Sequence, residues 1–334
     1  MTADKKHGHG HGNGHGNGHG HGHGHGHGHG GAEIDWAVMA PVLEQNAEVT
    51  APLYRDVAAW LGELRGAGAE PGLIVDAGSG PGVVACLLAE EFPKAQVVAA
   101  DPEPALLERT TARAERLGLA DRVRAHRAEL PAGLGELAPA DLIWASRSVH
   151  HVGDQVAALT ALADRLAPGG ALAVLEGGLP PHSLPRDIGI GRPGLQARLN
   201  AANDAWFTRM RAALPGAKDT VEDWPAMLAA AGLRHEATRS FLLDLPAPLD
   251  DRARAHVIDV FERYRHLAAP QAPQDPQDPQ DPQDSEGPGE PPLSAEDGAT
   301  LDRLLDPSDP ASLHRRSDLY LLVAHTVYVA VKQS

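Results

Sequence analysis

From Gly72 to Glu176, short apolar runs alternate along the chain with segments of helical periodicity. Continuous apolar runs, such as those at 73–78 and 96–101, indicate strands that are buried on both faces of a sheet. Regular alternation of such strands with helices predicts a parallel sheet covered by helices on both sides. In this region we expect strands at 73–78, 96–101, 122–128, 141–146 and 171–176, and helices at 82–92, 103–117 and 154–166.

The second half of the chain has a less regular pattern. Residues 180–193 are rich in Pro and Gly and are expected to form a loop. The remaining elements are expected to be helices at 194–213, 250–267 and 294–305, a helix that opens at 220–223 and is closed by Gly232, a strand at 233–245 and a last strand within 319–332. The pattern as a whole predicts an α/β fold with a mostly parallel sheet and an antiparallel last strand.

Two segments have compositions that cannot form a core. Residues 1–31 are mostly alternating His and Gly, and residues 270–293 are rich in Pro, Gln and Asp. We expect both to be disordered, the first as an N-terminal arm and the second as an insertion. The folded domain would then comprise 32–269, with its core at 72–176, together with the helix and strand of 294–334.

Charge and cysteine content narrow the class of protein. The formal net charge is −16, which disfavours a nucleic-acid partner because phosphate binding needs clustered Lys and Arg. Cys86 is the only cysteine, so no intramolecular disulfide can form. No apolar run reaches the roughly 18–20 residues needed to cross a bilayer. We expect a cytoplasmic protein without a membrane partner; the sequence does not give its oligomeric state.

The segment Asp76-Ala77-Gly78-Ser79-Gly80-Pro81-Gly82 joins the first of these strands to its helix. Its glycines allow a tight turn and a close approach of ligand to backbone, and the helix N-terminus offers free N–H groups. The spacing G-x-G-x-G differs from the G-x-G-x-x-G of a dinucleotide pyrophosphate site. Asp101 ends the next strand, where a carboxylate can accept hydrogen bonds from ribose hydroxyls. These features predict an adenosine-containing ligand.

The chain resembles the class I S-adenosylmethionine (SAM)-dependent methyltransferases. The matching segments are VDAGSGPG (75–82), AAD (99–101), Glu129, DLIWASRSVHHV (141–152), LAPGG (166–170) and VYVAVK (327–332). The resemblance is strongest to the small-molecule branch that includes quinone-biosynthesis-type enzymes, in which a His-His pair after the fourth strand is common. It implies a Rossmann-like sheet of seven strands, SAM as the cofactor, and methyl transfer to an O, N or C nucleophile of a small-molecule acceptor.

The resemblance also implies contacts with the methionine part of SAM. Gly78, Gly80 and Gly82 would lie beneath it, with Ser79 in the same loop. Asp76 would help to hold the loop and the amino group of the ligand.

Contacts with the nucleoside part would come from the next three strand ends. Asp101 would bind the ribose hydroxyls, with Pro102 beside the adenine. Glu129 would face the adenine amino group, where the family often has Asp, and Leu130 would pack on the ring. Ser146 would line the ligand at the end of the fourth strand.

His150 and His151 follow the fourth strand, at the edge where open α/β sheets bind ligands. One of them could act as a general base, because imidazole titrates near neutral pH. The alternative is that they only orient the loop, because alignment and desolvation can suffice for a nucleophilic acceptor. The segment after residue 180 could form a lid over the acceptor, with Arg192, Trp206, Phe207 and Arg209 as its candidate contact residues. A Trp at helical spacing is more often part of the core, so we expect Trp206 to be a core residue.

Two other functions remain open at this point. The first is a nicotinamide-dependent oxidoreductase on a similar sheet, which the glycine spacing disfavours. The second is metal handling by the arm, because imidazoles suit Ni²⁺, Zn²⁺, Cu²⁺ and Co²⁺. The candidate ligands are His7, His9, His11, His15, His19, His21, His23, His25, His27 and His29.

Overall fold

The computed structural model describes residues 36–66, 69–130, 132–267 and 293–333. The expected His/Gly arm at 1–31, with all ten of its candidate metal ligands, lies outside the described residues. Residues 270–292 of the expected insertion lie outside them as well.

The described residues form a seven-stranded sheet whose spatial order is β3-β2-β1-β4-β5-β7-β6. Strands β1 to β5 run parallel to one another, and β7 is antiparallel to both of its neighbours, β5 and β6. The predicted α/β fold with an antiparallel last strand is therefore confirmed. The strands are β1 (Leu73–Ala77), β2 (Gln96–Asp101), β3 (Val123–Arg127), β4 (Ala140–Ser146), β5 (Leu166–His182), β6 (Leu233–Leu245) and β7 (Leu321–Lys332).

Helices cover both faces of this sheet. They are α1 (Trp36–Val49), α2 (Ala51–Arg65), α3 (Val83–Glu91), α4 (Pro104–Arg116), α5 (Gln155–Asp164), α6 (Leu195–Ala212), α7 (Trp224–Ala230), α8 (Asp251–Arg263) and α9 (Ala295–Leu305). Short 3-10 helices span Ala132–Glu136, Val149–His151 and Tyr264–Leu267.

Alternation of side chains along the strands produces two separate cores. Ile74, Leu142 and Trp144 point to one face and pack in a cluster with residues of α2, α3, α8 and α9. Val75 and Ile143 point to the other face and pack with residues of α5 and α7. Because both faces of the central strands are apolar, helices must cover both, as the continuous apolar runs predicted.

Strand β5 is longer than the sequence pattern predicted. It continues beyond the expected 171–176 to His182, into the segment expected to be a loop. The extension pairs with β7, with Gly178 opposite His325 and His182 opposite Leu322, and register shifts interrupt the ladder on either side of Leu179. Pro and Gly are tolerated here because irregular pairing does not require every backbone N–H.

Strand order places the ligand-binding edge of the sheet. The order reverses between β1 and β4, and ligands of open α/β sheets bind outside the carboxyl ends of the strands at such a point.

None of the described helices is both long and apolar enough to cross a membrane. The described side chains include no group of three or more His, Cys, Asp or Glu that could hold a metal ion.

Candidate active site

The glycine loop after β1 is fixed at its start by backbone hydrogen bonds. The N–H groups of Gly78 and Ser79 both donate to the carbonyl of Ala100, at 2.9 and 3.0 Å. Gly78 has φ +81°, and a Cβ at this position would lie 2.9 Å from the Cβ of Ser148. Only glycine fits here, because the loop after β4 is pressed against the loop after β1.

The middle of the same loop faces open space. A Cβ at Gly80 would meet none of the described atoms within 4 Å. Gly82, in contrast, has φ +72° and would place a Cβ 2.5 Å from the Thr110 side chain on α4. The loop is therefore held by protein at both ends and is open at its centre, next to the N-terminus of α3.

Asp101 braces this loop from the end of β2. Its two carboxylate oxygens accept hydrogen bonds from the N–H of Gly80 at 2.9 Å and from the N–H of Glu103 at 3.0 Å. The side chain is buried. A predicted ribose-binding residue thus also fixes the backbone of the glycine loop.

Asp76 lies beneath the loop as a buried carboxyl that lacks full hydrogen bonding. It is 2% exposed, and its Oδ2 atom has no hydrogen-bond partner among the described residues. Burial raises the pKa of Asp76 to about 8, and the charge of nearby Asp101 acts in the same direction. An unsatisfied buried carboxyl is costly for the fold, so its presence points to a ligand that donates to it. The amino group of SAM has that property, so these residues fit the cofactor.

The other predicted cofactor residues lie along the same edge of the sheet. Pro102 is half-buried beside Asp101, and Ser146 is half-buried at the end of β4. Glu129 follows β3 and is exposed. Leu130 is half-buried, with its Cδ1 3.7 Å from the position of a Cβ on Gly78. Strand order therefore brings all of these residues to one edge of the sheet.

The two rings of the predicted His-His pair lie against each other, with centroids 4.1 Å apart, but only His150 is also held by Glu176. Nδ1 of His150 lies 2.7 Å from Oε2 of Glu176, and Oε1 of Glu176 accepts the N–H of Val149 at 3.1 Å. The ring of Phe207 packs edge-on against His150, with centroids 5.4 Å apart. Arg211 donates to the His150 carbonyl, whereas His151 is exposed.

A second set of basic side chains lies next to the loop after β4, which carries His150. We call Arg147, His256, Arg263 and His325 the Arg147 cluster. Arg147 follows β4 with φ 52°, and the others come from α8 and β7. Burial lowers the pKa of His256 and of His325 to about 4, and the charge of Arg147 contributes to both shifts. Partial desolvation of the guanidinium group, together with the charge of Arg147, also lowers the pKa of Arg263. The two imidazoles are therefore neutral at pH 7, and the two guanidinium groups repel each other.

Neither arginine of this cluster forms an ion pair with any described residue. Asp259, one turn before Arg263 on α8, attracts it without forming such a pair. Both arginines are exposed to solvent. Their charges are thus available to a bound molecule.

The lid candidates have different positions. Phe207 contacts His150, as described above, and Trp206 packs edge-on against His266 with centroids 4.8 Å apart. Arg192 binds Asp297 at 2.7 Å, which is a structural contact with α9. Arg209 is exposed on α6. Of the four, Phe207 is the one with a contact to a predicted site residue.

Several residues of the site were not predicted from the sequence, among them Glu176, Arg147, Arg263 and His325. Arg147 directly follows β4, and Glu176 ends the strand predicted at 171–176, so their positions were a usable signal. Arg263 and His325 carried no such signal, because helix α8 and the register of β7 bring them to the site.

Comparison with known proteins agrees with this geometry. Residues 75–172 match the family model described as a methyltransferase domain. Trans-aconitate 2-methyltransferase from Methylobacterium radiotolerans is 33% identical over 220 residues, covering 58% of this chain and 77% of that protein. The protein of the same name from Methylobacterium nodulans is 33% identical over 213 residues, covering 58% of this chain and 77% of that protein. A solved SAM-dependent methyltransferase from Thiobacillus denitrificans, in complex with S-adenosylhomocysteine, aligns with a TM-score of 0.42 at 17% identity, over 81% of this chain and 89% of that one.

The fold, the glycine loop, the family model and the two Methylobacterium relatives define a methyl-transferring enzyme. The chain belongs to the class I SAM-dependent methyltransferases. The family predicted from the motifs is confirmed, and the matches give no support to a nicotinamide-dependent oxidoreductase.

Proposed function

We propose that this protein transfers the methyl group of SAM to a carboxylate oxygen of a small organic acid. The observation that carries this proposal is the pair Arg147 and Arg263: the charge of Arg147 acts to lower the pKa of Arg263, and neither guanidinium group has an ion-pair partner among the described residues. Juxtaposed like charges are destabilising unless an anion lies between them. An arginine can bind a carboxylate through two parallel hydrogen bonds, which suits an acid as the acceptor.

The names of the relatives agree with this acceptor class. Both Methylobacterium proteins are named for methylation of trans-aconitate, which is a carboxylate. We extend the class of acceptor, and not the individual compound, to this chain.

The cofactor residues are proposed to divide the ligand between them. Asp76 would accept the amino group, and Asp101 would take the ribose hydroxyls. The glycine loop, with Ser79, would lie against the methionine part. Pro102, Glu129, Leu130 and Ser146 would surround the adenine end, from the carboxyl ends of β2, β3 and β4. The support for this division is that all of these residues share one edge of the sheet.

SAM supplies a methyl group on a positively charged sulfur. In transfer to a carboxylate, an oxygen–carbon bond forms while the carbon–sulfur bond breaks, with its electron pair going to sulfur. The products are a methyl ester and S-adenosylhomocysteine. A carboxylate is already ionised at neutral pH, because its ordinary pKa is about 4, so no proton has to be removed. The protein's task is then to hold the acid in line and to exclude water, and Arg147 and Arg263 would do the holding.

The test is an acceptor screen with the full-length protein. SAM is incubated with trans-aconitate, with its trimethyl ester and with a neutral phenol, and S-adenosylhomocysteine and methylated products are quantified. We expect a methyl ester from the acid alone. Transfer to the phenol, with none to trans-aconitate or other carboxylic acids, would contradict the proposal.

Substitution of the two arginines then tests how the acid is bound. We expect Arg147→Gln and Arg263→Gln each to lower kcat/KM for the acid by about ten- to a hundredfold, the usual cost of losing a charged hydrogen bond. Arg124→Gln, an exposed arginine on β3 at the far edge of the sheet, is the matched control and should act like wild type.

We also propose that the His/Gly arm binds divalent transition metals. Ten imidazoles within residues 7–29 support this, because imidazole suits Ni²⁺, Zn²⁺, Cu²⁺ and Co²⁺. The test is calorimetric titration of the full-length protein with Ni²⁺ and Zn²⁺, against a full-length variant with all ten replaced by Asn. Equal binding by the two proteins would contradict the proposal, and S-adenosylhomocysteine binding should be the same in both.

A further inference from the structure

Glu176 is a buried carboxylate of β5 that lies next to the loop after β4. It is 3% exposed within β5, where the next two residues, Gly177 and Gly178, are exposed. It forms no ion pair with Lys or Arg in the described part of the chain. Its close partner is His150, a side chain that is charged only when it is protonated. A carboxylate is seldom buried so deeply unless it is paired, because desolvation of the charge is costly.

Both oxygens of Glu176 are directed at the loop after β4. Oε2 lies 2.7 Å from Nδ1 of His150, and Oε1 accepts the N–H of Val149 at 3.1 Å. A carboxylate accepts but does not donate, so the proton between Glu176 and His150 must lie on Nδ1. The pairing therefore fixes which ring nitrogen is left for other partners.

The other ring nitrogen of His150 is directed away from this bond. No hydrogen bond to Nε2 of His150 occurs among the described residues. Phe207 of α6 packs against the ring, and Arg211 of the same helix holds the backbone carbonyl of His150. The ring is thus fixed by β5 on one side and by α6 on the other.

The free side of this ring lies beside the proposed acceptor site. The backbone N–H of Arg147 donates to the carbonyl of Leu175, the residue before Glu176, at 3.0 Å. His325 lies opposite Gly178, two residues after Glu176, in the pairing of β5 with β7. Ser148, between Arg147 and the ring, packs against Gly78 of the cofactor loop. His150 therefore lies where the Arg147 cluster and the glycine loop meet.

We infer that Glu176 is a positioning residue that acts through His150, orienting the imidazole so that Nε2 meets the acceptor. This inference rests on the proposed carboxylate acceptor. Such an acceptor needs no general base, so the role left to His150 is to help hold the acid. With Nδ1–H bonded to Glu176, donation from Nε2 to the acid requires a second proton on the ring, and the carboxylate of Glu176 would balance its charge.

The first test reads the imidazole directly and needs no turnover. Full-length protein with ¹⁵N-labelled histidine is examined by NMR, and the His150 signals are identified by their loss in His150→Asn. We expect wild-type Nδ1 to be protonated and hydrogen-bonded, and Glu176→Gln to change its shift. His150 signals that are the same in both proteins would overturn the inference.

The second test is a double-mutant cycle in kinetics, with trans-aconitate as acceptor. We expect Glu176→Gln to lower kcat/KM for the acid by about tenfold or more, while the KM for SAM changes less than about twofold. In a His150→Asn background, the same substitution should have almost no further effect. If Glu176 merely held the loop through the Val149 N–H, its effect would persist in that background, and the inference would be wrong.

Failure of the inference is distinguishable from failure of the proposed function. A wild-type protein that methylates no carboxylic acid overturns the proposed function, and the NMR comparison alone then decides whether Glu176 orients His150. A wild-type protein that is active, with Glu176→Gln unchanged or additive with His150→Asn, overturns the inference alone. Affinity for S-adenosylhomocysteine, measured by calorimetry, shows whether each variant retains its fold.

Discussion

At the scale of single residues, the site contains groups that are unfavourable for the fold without a ligand. Asp76 is a buried carboxyl with an unsatisfied oxygen, and the hydroxyl of Ser79 in the adjacent loop is also buried without a partner among the described residues. Each such group costs roughly 1–3 kcal/mol relative to a satisfied one. A ligand that donates to them recovers this cost on binding, so the site is prepared for SAM at the expense of the stability of the empty protein.

Substitution of Asp76 by Asn should therefore separate stability from binding. The folded pKa of Asp76, about 8, lies above its unfolded value of 3.8. Between these values the folded protein holds a proton that the unfolded chain releases, so this group makes the empty protein less stable as pH rises. We expect the Tm of Asp76→Asn to exceed that of wild type by a margin that grows from pH 5 to pH 8.

The same variant should bind SAM about ten- to a hundredfold more weakly, because a charged hydrogen bond is lost. Differential scanning fluorimetry across pH and calorimetry with SAM would measure the two effects. A Tm difference that does not depend on pH would show that Asp76 stays ionised in the empty fold.

At the scale of elements, α9 is the piece that holds the segment before α6 in place. Asp297 in its first turn is 2% exposed and accepts hydrogen bonds from Arg198, Arg192 and Ser294. Hydrogen bonding from Arg198 is the main cause that lowers the pKa of Asp297 to about 2. The helix thus anchors the loop that leads to Phe207 and Arg211, and through them the environment of His150.

Replacing Asp297 by Ala should destabilise the fold by about 1–3 kcal/mol at pH 7, because two arginines lose a shared partner. Its folded pKa lies below the unfolded value, so its contribution is present above pH 4 and is lost as pH falls toward 2. Urea denaturation at pH 7 and at pH 3 measures this difference. Asp302→Asn, an exposed position on the same helix, is the control and should change stability by less than about 0.5 kcal/mol.

At the scale of the whole molecule, the last strand of the chain, β7, lies inside the sheet between β5 and β6. Strand β7 pairs along its length with both β5 and β6, and its residues Leu321, Val327 and Ala330 are fully buried. Without β7, both neighbours would have an unpaired edge and β6 would be separated from the sheet. The C-terminal segment is therefore essential to the core, although it follows residues of low complexity.

A chain that ends at Asp318 should not fold cooperatively. We expect it to be largely insoluble, or to lack a sharp thermal transition by circular dichroism, because the hydrogen bonds of two strands are lost together. A chain that ends at Lys332 should unfold as the full-length protein does. Cooperative unfolding of the shorter chain would mean that β6 can pair with β5 directly.

Local patterns were sufficient for much of this protein. Strands β2 and β6 begin and end at the residues predicted from the sequence, because apolar runs and turn residues act over a few neighbouring positions. The glycine loop and Asp101 were equally readable, since turn chemistry requires particular residues at particular positions. Strand β5 was predicted too short, because pairing with β7 extends it through Pro and Gly that read locally as a loop.

What the sequence determined by itself is the order of strands and helices, the family and the position of the cofactor loop, because periodicity and turn chemistry are local. The tertiary structure decided the pairings between distant residues: Glu176 with His150, 26 positions apart, and Asp297 with Arg198, 99 apart. It also decided that β7 lies between β5 and β6, and that α8 brings Arg263 toward Arg147. These depend on strand order and on how helices pack across the sheet, and no short stretch of sequence encodes either.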